Sequence, residues 1–189
     1  MAQYFFPFPK VEYDLKKNGG TELLTNVTLR FKIRDILRSR VAVYNDYYIK
    51  EGERADVIAF NFYEDPSLDW LIYIVNNIID PHYDWPLDYQ SFTNYIKEKY
   101  GSVSAAQGTV HHYEWIYQAQ QRLYDGTIIP EKTYEVDATT YATLAPTARK
   151  SVSVYDYEEN LNDDKRRIKL LDDRYVNSIT SQISGIFNE

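Results

Sequence analysis

The chain of 189 residues is 44% hydrophobic and 26% charged, which suits one soluble globular domain or one small domain with elaborations. Its formal net charge of −7 argues against nucleic-acid binding, and its lack of cysteine excludes disulfides and thiolate metal sites. Its 19 tyrosines favour a surface made for contacts with other proteins.

The N-terminus is aromatic and interrupted by proline, which predicts an extended segment rather than a helix. Phe5, Phe6 and Phe8 would be exposed in isolation, so we expect them to pack against the rest of the chain or against a partner. The start of the chain lacks the pattern of a signal peptide, and the longest fully apolar stretch, Leu71–Val75, is too short to cross a membrane. We therefore expect a soluble protein that is intracellular when it is made.

A basic segment follows in residues 25–43, and its secondary structure is ambiguous. Apolar residues first alternate as in a strand and then follow a helical spacing, and we favour a helix capped by Thr25. A solvated charged face and docking onto an acidic partner both account for its cations, whereas nucleic-acid binding needs more than one such segment. The arginines of this segment are Arg30, Arg34, Arg38 and Arg40.

The stretch from Tyr47 to Trp85 has the clearest pattern. Its aromatic start predicts a strand as far as Ile49, and Gly52 predicts the turn after it. Apolar residues at helical spacing then predict a first helix, whose buried side would hold Ala55, Ile58, Ala59 and Phe62.

A second helix is predicted to begin at Pro66, with the carboxylate of Asp65 as its cap. One side of this helix should be buried, namely Leu68, Leu71, Ile72 and Val75. A second apolar side must be covered by the rest of the chain or by another subunit, and it consists of Trp70, Tyr73 and Ile74. An extended exit through residues 78–81 would complete a strand-helix-helix-strand unit.

This arrangement resembles a LysM-like module, with Gly52 in the turn and Trp70, Ile74 and Asn76 on the second helix. A longer match is carried by Tyr48-Ile49, Ala59 to Tyr63, Asp65-Pro66, Trp70, Asn76, Asp80-Pro81, Tyr83 and Trp85. With these residues the chain resembles, over most of its length, the small baseplate wedge subunit of large contractile-tailed bacteriophages.

The resemblance implies a structural protein of the virion that joins wedges around the central hub of the baseplate. It implies several copies per baseplate, in contact with other wedge subunits and with the sheath-initiating region, and no enzyme activity, cofactor, nucleic acid or membrane. Besides the N-terminal phenylalanines and the arginines of the basic segment, the candidate contact residues are Trp70, Tyr73, Tyr83 and Trp85.

The alternative is a carbohydrate-binding module, because LysM modules outside phage tails often bind the N-acetylglucosamine polymers of peptidoglycan or chitin. In those modules a hydroxyl or an aspartate typically follows the turn glycine. Here Glu53-Arg54 follows Gly52, so we predict that the chain does not bind such polymers.

The C-terminal half predicts a third helix between Asp88 and Gly101, and then a loop over residues 102–108. Strand-like alternation from Thr109 places aromatic side chains on one face, namely His111, Tyr113, Trp115 and Tyr117. Further strands are predicted at residues 151–158 and 166–171, with a turn at residues 160–164 between them. A final helix would be capped by Asp172 or Asp173.

No constellation of residues predicts catalysis or metal binding. His111 and His112 are adjacent in a predicted strand, so they should point to opposite faces and not share a metal ion. The sequence has no glycine-rich phosphate loop and no nucleophile motif.

We therefore predict an α+β structural protein with a LysM-like strand-helix-helix-strand core, a β-rich C-terminal elaboration and a terminal helix. The predicted ranges are an extended arm with the basic segment at 1–46, the core with its following helix at 47–101, and the β-rich region at 102–189.

Overall fold

The computed structural model describes residues 8–17, 19–28 and 43–186. Helices and strands are mixed along these residues, which confirms the predicted α+β class. The chain divides into two compact units, of which the first runs to Pro86 and resumes at Lys165, and the second is Leu87–Asp164. This division does not follow the predicted ranges 1–46, 47–101 and 102–189, because the first unit takes a strand from the C-terminal part of the chain.

In the described residues of the first unit, the first elements are β1 (Lys10–Tyr13) and β2 (Glu22–Thr25), which pair antiparallel as a hairpin. Thr25 is the last residue of β2, so it does not cap a helix as predicted. The remainder of the basic segment, including Arg30, Arg34, Arg38 and Arg40, lies outside the described residues, as do Phe5 and Phe6.

The central stretch forms the predicted strand and the two predicted helices. Gly52, with φ of +67°, lies in the turn after the strand, as predicted for a residue without a Cβ. In chain order the elements are β3 (Tyr44–Tyr48), α1 (Ala55–Tyr63), a 3-10 turn (Pro66–Leu68), α2 (Asp69–Val75) and α3 (Pro81–Asp84).

The predicted return strand at residues 78–81 is wrong. Asp80 accepts a hydrogen bond from the backbone N–H of His82 at 2.9 Å, and Pro81 occupies the first helical position, so the chain enters α3 there. The strand that pairs with β3 is instead β9 (Arg167–Leu171), which runs antiparallel to it with Tyr44 opposite Leu171. The second unit is therefore inserted between the helices and the last strand of one core.

The core of the first unit lies between α1, α2 and the β3-β9 sheet. The predicted inner side of α2 is confirmed, because all four of its residues are buried, and Leu71 and Ile72 are fully so. The prediction for Phe62 is wrong, since its side chain is 36% exposed. Tyr63 packs against the core in its place and donates to the carbonyl of Leu171 at 3.0 Å, because Tyr63 lies one helical turn after the buried Ala59.

The second unit contains a three-stranded antiparallel sheet in the order β7-β4-β8, a short β5-β6 hairpin, four α-helices and a 3-10 turn (Pro146–Ala148) among its residues, all of which the structure describes. Its strands are β4 (Val110–Gln118), β5 (Gln121–Arg122), β6 (Ile128–Ile129), β7 (Lys132–Val136) and β8 (Arg149–Ser153). Its helices are α4 (Tyr89–Tyr100), α5 (Val103–Gly108), α6 (Ala138–Thr143) and α7 (Val154–Asp164). Its core cluster consists of Phe92, Ile96, Ala106 and Val154.

Helix caps explain where the sequence predictions hold and where they are wrong. The predicted cap Asp88 and stop Gly101 are confirmed for α4. The predicted loop at residues 102–108 is wrong, because Ser102 accepts from the N–H of Ala105 at 3.0 Å and starts α5. The predicted strand at 151–158 ends at Ser153, whose hydroxyl accepts from the N–H of Asp156 at 3.1 Å and starts α7. The turn predicted at 160–164 lies inside that helix.

The last helix, α8 (Asp173–Ile186), returns the chain to the first unit. Asp172 precedes it and accepts from the backbone N–H of Arg174 at 3.1 Å, which confirms the predicted start. Val176 is buried in the core cluster of the first unit, and Ile179 packs against it. The final helix therefore packs in the same core as β3.

Candidate functional site

The predicted contact residues differ in how much of their surface a partner can reach. Trp70 is 8% exposed and belongs to the core cluster, so of the two expected covers, the chain itself or another subunit, the chain itself covers this side chain. Phe8 is also buried. Tyr73 and Trp85 are half-buried, with their ring centroids 5.7 Å apart in an edge-to-face pair. Tyr83 is 77% exposed on α3.

Glu53 organises the turn after β3. The hydroxyl of Tyr47 donates to the Glu53 carboxylate and lies 2.9 Å from each of its two oxygens. The same carboxylate accepts from the backbone N–H of Lys50 at 3.0 Å. The carbonyl of Glu53 accepts from the indole N–H of Trp85 at 3.0 Å. The side chain and the backbone of this residue thus connect the turn to β3 and to the segment after α3.

Arg54, the second residue that departs from the sugar-binding pattern, is held by a neighbour. Its guanidinium donates to both carboxylate oxygens of Asp56, at 3.1 and 2.9 Å. The Glu53 carboxylate is thus engaged within the chain, whereas the exposed Arg54 guanidinium uses two of its five N–H donors in the pair with Asp56.

The contact with Glu53 gives a pH prediction for Tyr47. Burial and then the hydrogen bond with Glu53 raise the pKa of Tyr47 from 10.0 to about 12. Because the folded state favours the neutral phenol, this contribution to stability is complete below pH 10.0 and declines as the pH rises towards 12. We expect Tyr47→Phe to be less stable than the natural chain at neutral pH, with the difference in the free energy of unfolding shrinking above pH 10.0.

Urea unfolding across this pH range measures the effect. The matched control is Tyr83→Phe, which removes the hydroxyl of an exposed tyrosine and should leave the pH dependence unchanged. A constant difference between Tyr47→Phe and the natural chain at every pH would contradict the assigned role of the Tyr47 hydroxyl.

Asn76 is a positioning residue that the sequence did not single out for this role. Its side-chain NH₂ donates to the carbonyls of Ile72 at 2.8 Å and Lys169 at 2.9 Å, while its amide oxygen accepts from the N–H of Lys169 at 2.8 Å. The amide therefore pairs with the backbone of β9 as a neighbouring strand would. This contact joins the end of α2 to a strand 93 residues away, so no local pattern could reveal it.

The prediction that His111 and His112 point to opposite faces is wrong. The pairing of β4 with β8 shifts register between Val110 and His112, and this irregularity brings the two Nδ1 atoms to 2.8 Å. His111 also stacks on Tyr157, with ring centroids 3.8 Å apart. Among the residues that the structure describes, no group of three or more His, Asp or Glu side chains is arranged to hold a metal ion.

An open cavity of about 410 Å³ lies beside these histidines in the second unit. Its polar lining is already paired in part, because His112 Nε2 lies 3.4 Å from Glu114 and Lys150 Nζ lies 3.4 Å from Glu131. The cavity is lined by His112, Glu114, Lys150, Val152, Asp156, Tyr157, Glu159 and Asn160.

The buried carboxylate of Glu158 is held in a network of hydrogen bonds that joins two helices. It accepts from Tyr100 at 2.6 Å, from Lys99 at 2.7 Å and from Tyr95 at 3.2 Å. Burial alone would raise the pKa of Glu158, but these charge-assisted and neutral hydrogen bonds outweigh it and lower the pKa. The network ties α7 to α4 within the second unit.

No helix in the described part of the chain combines the length and the apolar character needed to cross a membrane.

Comparison with known proteins gives two findings. The family model for base plate wedge protein 53 matches residues 3–186 of this chain. The baseplate wedge protein gp53 of Enterobacteria phage T4 is 25% identical over 191 residues. That similarity covers 96% of this chain and 94% of the T4 protein, so the two are alike along nearly their whole lengths.

Proposed function

The chain belongs to the family of base plate wedge protein 53, and we propose that it is a structural subunit of the baseplate wedge in a phage tail. The observation that carries this proposal is the family match across residues 3–186, because a match of that extent includes both compact units. The similarity to the T4 baseplate wedge protein along nearly the whole chain supports the same role. The protein would accordingly reside in the tail of the virion.

In this role the chain joins wedge subunits around the hub, in several copies, and contacts other wedge subunits and the sheath-initiating region. It is made and assembled in the host cytoplasm, and it acts by binding other subunits, without catalytic residues or a cofactor. Exposed aromatic side chains support such a role, since Tyr83, Tyr89 and Tyr124 are each more than 70% exposed. Sugar binding is not favoured, because the Glu53 carboxylate, which follows the turn glycine, is engaged with Tyr47 and Lys50 within the chain.

The contact surface of the first unit would centre on Tyr83, with the half-buried Tyr73 and Trp85 as its support. The carbonyl of Tyr83 accepts from Lys165 Nζ at 2.5 Å, which holds α3 while leaving the phenol ring exposed. Phe5, Phe6 and the arginines at positions 30, 34, 38 and 40 would add contacts from the N-terminal part of the chain.

Complementation tests the proposed function. A phage that lacks the gene for this chain should yield no complete baseplates, and expression of the chain in the host should restore them. Electron microscopy of lysates and counts of infectious particles measure both results. Normal tails in the absence of the chain would contradict the proposal.

A further inference from the structure

The two faces of the β7-β4-β8 sheet carry different chemistry. On one face the charged side chains pair with each other, since Lys150 Nζ lies 3.4 Å from Glu131 and 4.0 Å from Glu114. The opposite face carries Trp115, Tyr117 and Tyr134, which we call the aromatic face. Trp115 and Tyr134 lie directly opposite each other in the register of β4 and β7.

The aromatic face is compact and only partly covered. The rings of Tyr117 and Tyr134 stack with centroids 4.6 Å apart, and Trp115 lies 6.4 and 6.5 Å from them. These side chains are 39% (Trp115), 43% (Tyr117) and 59% (Tyr134) exposed. Cross-strand ring pairs stabilise a sheet, but that role does not require three large rings to remain so accessible.

The chain itself covers the neighbouring part of this face but leaves these three rings partly exposed. Tyr113 lies on the same side of β4 and is covered by Tyr141 of α6, whose ring centroid is 4.4 Å away. The guanidinium of Arg149 lies 4.9 Å above the Tyr141 ring, and Arg149 is opposite Trp115 in the register of β4 and β8. Arg149 therefore marks the border between the covered and the accessible part of the sheet.

Two cations border the aromatic face. Lys132 precedes Tyr134 by two residues in β7, so both side chains share this face, and Arg149 borders its other side. Within the described part of the chain, neither cation lies within ion-pair distance of a carboxylate.

We propose that the aromatic face binds an acidic, apolar segment of another protein subunit of the baseplate. Apolar side chains of that segment would cover the three rings, and its carboxylates would pair with Lys132 and Arg149. The inference rests on the proposed function, because it takes the partner to be another tail protein.

The chemistry of this face favours a protein partner over a sugar or a nucleic acid. Sugar sites place carboxylates or amides that bind hydroxyls beside an aromatic ring, whereas Lys132 and Arg149 border this face. Single-stranded nucleic acids need a positively charged groove along several phosphates, and two cations in an acidic protein do not supply one.

Site-specific photocrosslinking in assembled tails tests the inference. The full chain with a photoreactive phenylalanine derivative in place of Tyr134 is supplied to a phage that lacks the gene, and the purified tails are irradiated. We expect a covalent adduct with another tail protein, and mass spectrometry should place the adduct in a segment rich in Asp and Glu. The same replacement at Trp115 provides a second attachment point should the first variant fail to fold.

A charge reversal with a matched control adds a second readout. Lys132→Glu should lower the yield of the adduct by about tenfold, because an attraction becomes a repulsion worth about 1.4 kcal/mol. Lys97→Glu, an equal change of charge at an exposed position of α4, should leave the yield within about twofold, as expected of a surface site without such a contact.

The possible outcomes separate the inference from the proposed function. If the tails contain the chain but neither position gives an adduct, or the adduct is with a glycan, a nucleic acid or a basic segment, the inference is overturned and the wedge role stands. If the tails do not contain the chain, both are overturned. An unchanged adduct yield in Lys132→Glu would overturn the role of charge in this contact.

Discussion

Replacing Leu71 with alanine is expected to lower the free energy of unfolding by about 2–5 kcal/mol. Leu71 is fully buried in the cluster that α2 forms with Leu170 and Leu171 of β9. Removing its three terminal carbon atoms forfeits their burial and leaves a cavity that rigid neighbours cannot fill. The loss should be large because Leu71 belongs to a cluster that holds residues from both chain segments of the first unit.

Urea unfolding followed by tryptophan fluorescence measures this loss. The matched control is Leu161→Ala, the same replacement at a residue that is 44% exposed, and it should change stability by less than about 1 kcal/mol. Equal effects of the two replacements would contradict the position assigned to Leu71 in the core.

Replacing Asn76 with alanine is expected to cost about 1–3 kcal/mol, the usual penalty for leaving polar groups unsatisfied. The change removes the amide that bonds to both the N–H and the carbonyl of Lys169. The edge of β9 that faces away from β3 then loses its partner beside α2. We therefore expect β9 to be affected before the other elements of this core.

Hydrogen exchange shows which amides this replacement affects and how strongly. In Asn76→Ala the amide of Lys169 should exchange faster than in the natural chain, because it has lost its acceptor. Asn61→Ala, at an exposed position of α1, provides the control and should change neither exchange at Lys169 nor stability by more than about 0.5 kcal/mol. Unchanged exchange at Lys169 would show that Asn76 does not hold β9.

Local signals in the sequence predict most of the helices of the first unit. Asp65-Pro66 predicts a capped start, and the spacing of Leu68, Leu71, Ile72 and Val75 predicts which side of α2 is buried. The same Asp-Pro signature recurs at Asp80-Pro81, where it starts α3 and not the extended exit predicted from the sequence. That error follows from the expectation that the return strand comes directly after the second helix.

The non-local features could not be predicted in this way. The whole second unit separates β3 from β9 in the sequence. The register of these two strands therefore depends on contacts that no short sequence pattern contains. The alternation of β4 correctly predicts a shared face for Tyr113, Trp115 and Tyr117, but a register shift displaces His111 from it. Tyr134, which completes the aromatic face, comes from a strand whose pairing partner the sequence does not indicate.

Electron cryomicroscopy of the intact tail, from the phage that encodes this chain, tests the central claim most directly. We expect density for the chain within each baseplate wedge, in contact with neighbouring wedge subunits over interfaces that bury more than about 1,000 Å². A complete baseplate whose density is fully accounted for by other proteins would contradict the claim that this chain is a structural wedge subunit.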